Sequence, residues 1–225
     1  MHDSLRRASL VPQVEPYSAM GYAFTPGGAQ GTIPSSLLSS AANPVVDWVV
    51  VELRDPVTPS IIVASKRGVL LRSGDVMDVN KTSPLWIPAA PGNHHVAIRH
   101  RNHLGAMTAA PVTLSATNTI VDLTASSFVA YGTNAMRTVG PRQVLWPGDA
   151  TGDGVVKYTG AGNDRDAILQ AIGGVVPTST AVGYVREDVN MDGVVKYTGS
   201  NNDRDVVLQS IGGSIPTNTR TQQLP

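Results

Sequence analysis

The stretch Asp149–Gly174 reads DATGDGVVKYTGAGNDRDAILQAIGG, and Asp188–Gly213 reads DVNMDGVVKYTGSNNDRDVVLQSIGG. The two match at 18 of 26 positions with a constant offset of 39 residues, which makes them an internal repeat. Each copy opens with oxygen-bearing side chains at alternate positions, followed by a glycine. A hard divalent cation such as calcium takes about six to eight oxygens at roughly 2.3–2.6 Å, and side chains at loop positions 1, 3 and 5 converge on one ion only where the backbone then turns sharply. The donors in the first copy are Asp149, Thr151 and Asp153 ahead of Gly154; in the second they are Asp188, Asn190 and Asp192 ahead of Gly193. Val155 and Val194, at position 7, would offer main-chain carbonyls, and Val156 and Val195 would pin each loop through a short apolar, β-like contact.

The back half of each loop departs from a standard EF-hand, whose closing carboxylate stands at position 12. Gly160 and Gly199 occupy that place, and acidic residues return four positions later in Asn163-Asp164-Arg165-Asp166 and Asn202-Asp203-Arg204-Asp205. A four-residue insertion makes Asp164 and Asp203 the first choice as closing ligands, with Asp166 and Asp205 in reserve. Lys157 and Lys196 stand where a polar residue often holds a water, and an ammonium cannot coordinate a cation. Each NDRD also predicts a short helix: Asn163 or Asn202 as N-cap, aspartates at the positive end of the dipole, and Gly173 or Gly212 as the left-handed stop. Ile168, Leu169 and Ile172 share one helix face, as do Val207, Leu208 and Ile211, so the two helices can pack into a small core. A unit this short buries little apolar surface, and a bound ion would supply part of the missing stability.

A calcium loop followed by a helix, duplicated, resembles the dockerin family, and the resemblance covers roughly residues 147–217. The VVKYTG and NDRD variant is similar to the terminal repeats of large secreted bacterial surface proteins. The resemblance implies a small α domain with two Ca2+ sites, formed by the residues named above. In cellulosomal dockerins loop positions 10 and 11 help choose the cohesin partner; here they are Tyr158-Thr159 and Tyr197-Thr198.

Upstream, Val45–Arg54 (VVDWVVVELR) is the strongest strand signal, with Val49, Val51 and Leu53 alternating against Trp48, Val50, Glu52 and Arg54. Further strands are predicted at 61–65, 68–72, 76–79, 85–87, 94–100, 112–115 and 120–124, punctuated by Ser73-Gly74-Asp75, Pro88 and Pro91-Gly92-Asn93. Short strands separated by regular turn signals predict a mainly β chain: an antiparallel β-sandwich over 45–130, then the small α domain. The order of these cues is similar to transthyretin-like and other immunoglobulin-like bacterial modules. Residues 1–44, rich in Pro, Gly, Ser and Ala, read as an extended arm with a strand near Tyr17–Phe24; 131–146 read as a linker and 218–225 as a tail.

Composition narrows the function classes. The 225-residue chain has 17 basic and 17 acidic residues, so it carries no broad charge for nucleic acid or an anionic membrane. It has no cysteine, hence neither disulfides nor thiolate metal sites, and a small extracellular module lacking disulfides has reason to use calcium as its staple. No run of 18 apolar residues spans a bilayer. The start, MHDSLRRASLVPQ, shows neither the apolar core nor the cleavage pattern of a signal peptide.

His94, His95, His100 and His103 invite a zinc reading, but on a strand His94 and His100 would stand about 20 Å apart, too far to share an ion. A site using His100 and His103 stays open beside the simpler expectation of hydrogen-bonded structural histidines. Asp47, inside an apolar strand, is expected to be matched by Arg99, Arg101 or His100. Neither G-x-S-x-G, H-E-x-x-H, a P-loop nor a dinucleotide fingerprint occurs, and an enzyme is not expected. The expected function is a non-catalytic, extracellular, calcium-stabilised adhesion or assembly module of a bacterial surface. Alternatives are a self-assembling fibre or sheath subunit using the arm, a glycan-binding module presenting Trp48, Trp86 or Trp146, and a dockerin-type partner of a cohesin-like receptor.

Overall fold

The ten residues Val45–Arg54 form strand β1, buried at nine of the ten positions. The computed structural model describes residues 1–26, 28–29 and 31–225. Gly27 and Gln30, inside the expected arm, lie outside the described residues. The chain divides into two compact units: residues 1–100, 106–144 and 223–225, and residues 101–105 with 145–222. It is mainly β, with antiparallel sheets and few helices.

In the first unit β1 pairs on one side with β2 (Ile62–Leu71) and on the other with β4 (Gly92–Arg99). β3 (Val76–Met77) extends the β2 edge, while β5 (Ala106–Met107) and β6 (Val112–Leu114) both pair with β4, giving a six-stranded sheet. β7 (Arg137–Val139) and β8 (Arg142–Val144) form a separate hairpin. The two strands predicted at 61–65 and 68–72 are one: Lys66 and Arg67 interrupt the apolar pattern, but both reach Asp78 (2.8 and 2.9 Å), so the polar pair sits inside an unbroken strand. The 85–87 and 120–124 segments and the Tyr17–Phe24 stretch lie outside every named strand.

The segment 12–22 lies against the face of β1 that carries Trp48 and Glu52. The described residues of 1–44 include two short helices, α1 (Ser4–Arg7) and α2 (Ser35–Ser39), and Leu5, Val11, Tyr17 and Ile33 are buried. Trp48 Nε1 donates to the Pro12 carbonyl (2.9 Å), Tyr17 Oη to the Trp48 carbonyl (2.7 Å) and Tyr22 Oη to Glu52 (2.8 Å). That cover is why β1 is buried on both faces despite its alternating pattern. Glu52 is fully buried between Arg54 (2.7 Å) and Arg99 (2.5 Å), and Asp47 is matched by His100 (3.1 Å), one of its three expected partners.

In the second unit the offset of 39 residues governs the backbone as well as the sequence. β9 (Val155–Lys157), α3 (Asp164–Ala171) and β10 (Thr180–Val182) recur as β11 (Val194–Lys196), α4 (Asp203–Ser210) and β12 (Thr219–Thr221). The pairing is crosswise: β10, trailing the first helix, pairs with β11 in the second loop, and β12, trailing the second helix, pairs with β9 in the first. β12 falls within the residues expected as a tail. Val156, Ile168, Ile172, Val189, Val195, Val207 and Ile211 form the core, with Leu104 from the 101–105 segment among them.

Candidate functional site

The two acidic loops place four carboxylates inside the protein. Asp164, Asp188 and Asp203 are fully buried and Asp149 is 6% exposed. Each loop is wound around its first aspartate, because the glycine at position 6 adopts a left-handed conformation (φ 79° at Gly154, 93° at Gly193) that turns its N–H back toward that carboxylate. Gly152 and Gly154 donate to Asp149 at 2.8 and 3.1 Å; Asp192 and Gly193 donate to Asp188 at 3.1 and 3.0 Å.

The sixteenth residue closes each loop. Asp164 Oδ1 accepts the Thr151 N–H (3.0 Å) and Oδ2 the Lys157 N–H (2.7 Å); Asp203 accepts the Asn190 and Lys196 N–H groups in the same way (3.1 and 2.8 Å). Position 3 converges with these acids: the Thr151 hydroxyl lies 3.1 Å from Asp164 Oδ1 and 3.5 Å from Asp149 Oδ1. In the second loop the Asp192 N–H is shared between Asp188 Oδ1 and Asn190 Oδ1 (3.1 and 2.8 Å), which brings those two oxygens together.

Position 5 sits at the rim. Asp153 and Asp192 each accept the N–H two residues on, from Val155 and Val194, the first residues of β9 and β11 (2.8 and 2.9 Å). In the first loop Lys157 Nζ also pairs with Asp153 at 2.8 Å.

Asp166 and Asp205 do different work. Each belongs to a reciprocal helix cap: Asn163 accepts the Asp166 N–H (2.9 Å) and donates to its carboxylate (2.8 Å), and Asn202 does likewise with Asp205 (2.8 Å for both). Their outer oxygens pair with Arg165 and Arg204. The structure therefore brings Asp164 and Asp203 to the loop interiors and leaves the reserve pair on the helix caps.

Electrostatics separates the same two groups. Burial, reinforced by the neighbouring Asp149 charge, pushes Asp164 up to about 6; burial pushes Asp188 up to about 6; and burial with the Asp188 and Asp192 charges pushes Asp203 up to about 7. Burial also raises Asp149. The Asn163 amide holds Asp166 below the usual carboxylate value, and Asn202 and Arg204 do so for Asp205 against a burial penalty. A cation bound among the interior acids would reverse the penalty there, and the donors on offer, carboxylate, hydroxyl and amide oxygens, are the hard set that calcium or magnesium takes. Among the described residues no group of three or more His, Cys, Asp or Glu stands together as a metal cage; the interior carboxylate oxygens accept loop amides.

One further residue belongs to the site and carries no signal in the sequence. Asn102, fully buried, accepts the Gly148 and Asp149 N–H groups through its carbonyl (both 3.1 Å) and donates through Nδ2 to the Arg186 and Asp188 carbonyls (3.0 and 2.6 Å). It stands 47 residues before the first loop, in a stretch that draws attention for its histidines. Of those histidines, His95 Nδ1 lies 2.8 Å from the Thr108 carbonyl and His100 pairs with Asp47, while His103 Nδ1 lies 2.8 Å from Asn102 Oδ1. Among the described residues no helix is long and apolar enough to cross a membrane. Comparison with known proteins returns no match to a family model, a curated protein or a solved structure.

Proposed function

We propose that the chain is a non-catalytic, calcium-braced module that acts outside the bacterial cell in adhesion, surface attachment or assembly. The observation that carries this reading is the duplicated pair of buried carboxylates, Asp149 with Asp164 and Asp188 with Asp203, each pair wrapped in one short oxygen-rich loop. A loop that buries two acids is costly unless a proton or a cation neutralises them. Calcium binding only the folded loops would stabilise the fold by RT ln(1 + [Ca]/Kd), and the millimolar calcium outside cells suits a Kd of about 10⁻⁴–10⁻³ M. The ion is then a structural brace.

The loop-helix repeats, their reciprocal caps and their crosswise strand pairing support the dockerin-like reading of residues 147–217, and burial of β1 on both faces supports a layered, sandwich-like first unit. Partners remain a protein receptor or other copies of the chain. A glycan is the second reading: Trp86, 71% exposed, is the tryptophan available for stacking, whereas Trp48 is fully buried and Trp146 packs on the second core. Glycan binding that survives Trp86→Ala would remove that reading. Thermal melts with calcium, with magnesium and with a chelator test the main one: calcium is expected to raise the melting temperature, and identical melts in all three would sink it.

A further inference from the structure

We propose that Asn102 couples the two loops, so that they take up calcium as one unit; the inference rests on the calcium reading above. The residue reaches both loops at equivalent places. Its main-chain carbonyl is held by the N–H of Asp149, and its side-chain amide holds the carbonyl of Asp188, so one residue grips position 1 of each repeat at 3.1 and 2.6 Å. Position 1 is the residue around which each loop is wound. A shift of Asp149 in the first loop therefore moves the main chain of Asn102, and through its rigid, fully buried side chain moves the carbonyl of Asp188.

The surroundings of Asn102 leave it little freedom to relax. Arg101 donates to the Val185 carbonyl and lies 4.4 Å from the Tyr184 ring. Leu104 donates its N–H to the Trp146 carbonyl at 2.8 Å and buries its side chain in the shared core. Gly105 N–H donates to Gln222 Oε1 at 2.8 Å. The segment is thus fixed at both ends, and Asn102 hydrogen-bonds the main chain of both first aspartates. Arg101 also acts on the second loop through its charge, which opposes the burial-driven rise at Asp188.

Coupling of this kind is a free energy shared between two sites, and for two sites the Hill coefficient lies between 1 and at most 2 when it is positive. Calorimetric calcium titration of the metal-free full chain is expected to give one steep transition for two equivalents, with a Hill coefficient above 1. Asn102→Ala is expected to give two separable steps, with a coefficient of 1 or below and a midpoint about tenfold higher. Thr113→Ala, whose hydroxyl bonds Asn93 and which contacts neither loop nor Asn102, is expected to keep the wild-type steepness.

Because Asn102→Ala can fail to fold, a second measurement uses the native residue. Asn190→Ala with Asp192→Ala removes the position 3 and position 5 donors of the second loop and leaves Asp188 and Asp203 in place. Coupling predicts that calcium then protects the Asp149 and Gly154 amides from hydrogen exchange only at about tenfold higher concentration. Independent sites predict unchanged protection. Two independent steps in the wild type, or wild-type steepness in Asn102→Ala, overturn the coupling alone; a wild type that binds no calcium overturns the coupling and the calcium reading together.

Discussion

Asp164 Oδ2 accepts the backbone N–H of Lys157 at 2.7 Å, so the carboxylate that opens a helix is also the one that shuts the acidic loop before it. Asp203 repeats the relationship with Lys196 at 2.8 Å. Two residues further on, Asp166 and Asp205 are turned outward to their asparagine caps.

This division of labour predicts opposite outcomes for neighbouring isosteric changes. Asp164→Asn and Asp203→Asn are expected to abolish the calcium response of their own loop. Asp166→Asn and Asp205→Asn are expected to keep it and lose about 0.5–2 kcal/mol of helix stability. Calcium-dependent melts of the four variants check this, and a response that follows Asp166 and Asp205 would reassign the closing ligand.

The pH dependence of the metal-free protein should run against the usual acid denaturation. The folded carboxyls of Asp164, Asp188 and Asp203 titrate near 6, 6 and 7, above the ordinary 3.8, so the folded chain holds protons that the unfolded chain has already released. Their contribution is fully present below pH 3.8 and is lost as the pH rises through 6 to 7. Without metal the second unit is expected to lose on the order of a few kcal/mol between about pH 4 and pH 8. Calcium is expected to restore it, most at the alkaline end. Chemical denaturation across that range, with chelator and with calcium, reads both slopes.

Loop 2 is expected to bind calcium more tightly than loop 1. Thr151 is a weaker neutral donor than Asn190, and the Lys157 ammonium pairs with Asp153, an expected ligand, at 2.8 Å. Lys157→Gln should therefore raise the affinity of the first loop, while the charge-preserving Lys157→Arg should not. Titration of each variant with the other loop disabled separates the two.

Position 4 offers a reciprocal swap. Gly152 (φ 73°) and Met191 (φ 61°) occupy the same left-handed place in the two loops, but a Cβ at Gly152 would stand 1.4 Å from Arg186 Nη1. Met191→Gly is expected to change stability by less than about 1 kcal/mol, since relief of left-handed strain offsets the added freedom of the unfolded chain. Gly152→Met is expected to cost about 1–3 kcal/mol, because Arg186 has to move. Urea unfolding of the pair reports the asymmetry.

In the first unit Glu52→Ala should cost about 3–5 kcal/mol, because it strips the fully buried Arg54 of its carboxylate. Tyr22→Phe should cost about 1.5–3 kcal/mol, since it removes one donor from the same charge and leaves both arginines in place. Urea unfolding midpoints order the two.

Much of this was legible in the chain wherever the signal is local. The repeat, the caps Asn163 and Asn202, the left-handed stops Gly173 (φ 101°) and Gly212 (φ 112°) and the bounds of β1 all follow from residues within a few positions of one another. What escaped depends on distant pairing. β10 and β12 are three-residue strands with no apolar period, defined only by the partner loops they reach. Residues 1–44 look like a loose arm because their Pro, Gly and Ser hide the few anchors, Leu5, Tyr17 and Ile33, that bury them. Asn102 belongs to the loops only through hydrogen bonds that span 46 and 86 residues.

The most direct measurement is calorimetric titration of the metal-free chain with calcium, beside an Asp164→Asn, Asp203→Asn double variant. Two equivalents bound by the wild type, at a Kd of about 10⁻⁴–10⁻³ M or tighter, and none by the variant are the expected result. No bound calcium in the wild type, or the same two equivalents in the variant, would contradict the claim that these buried carboxylates exist to hold an ion.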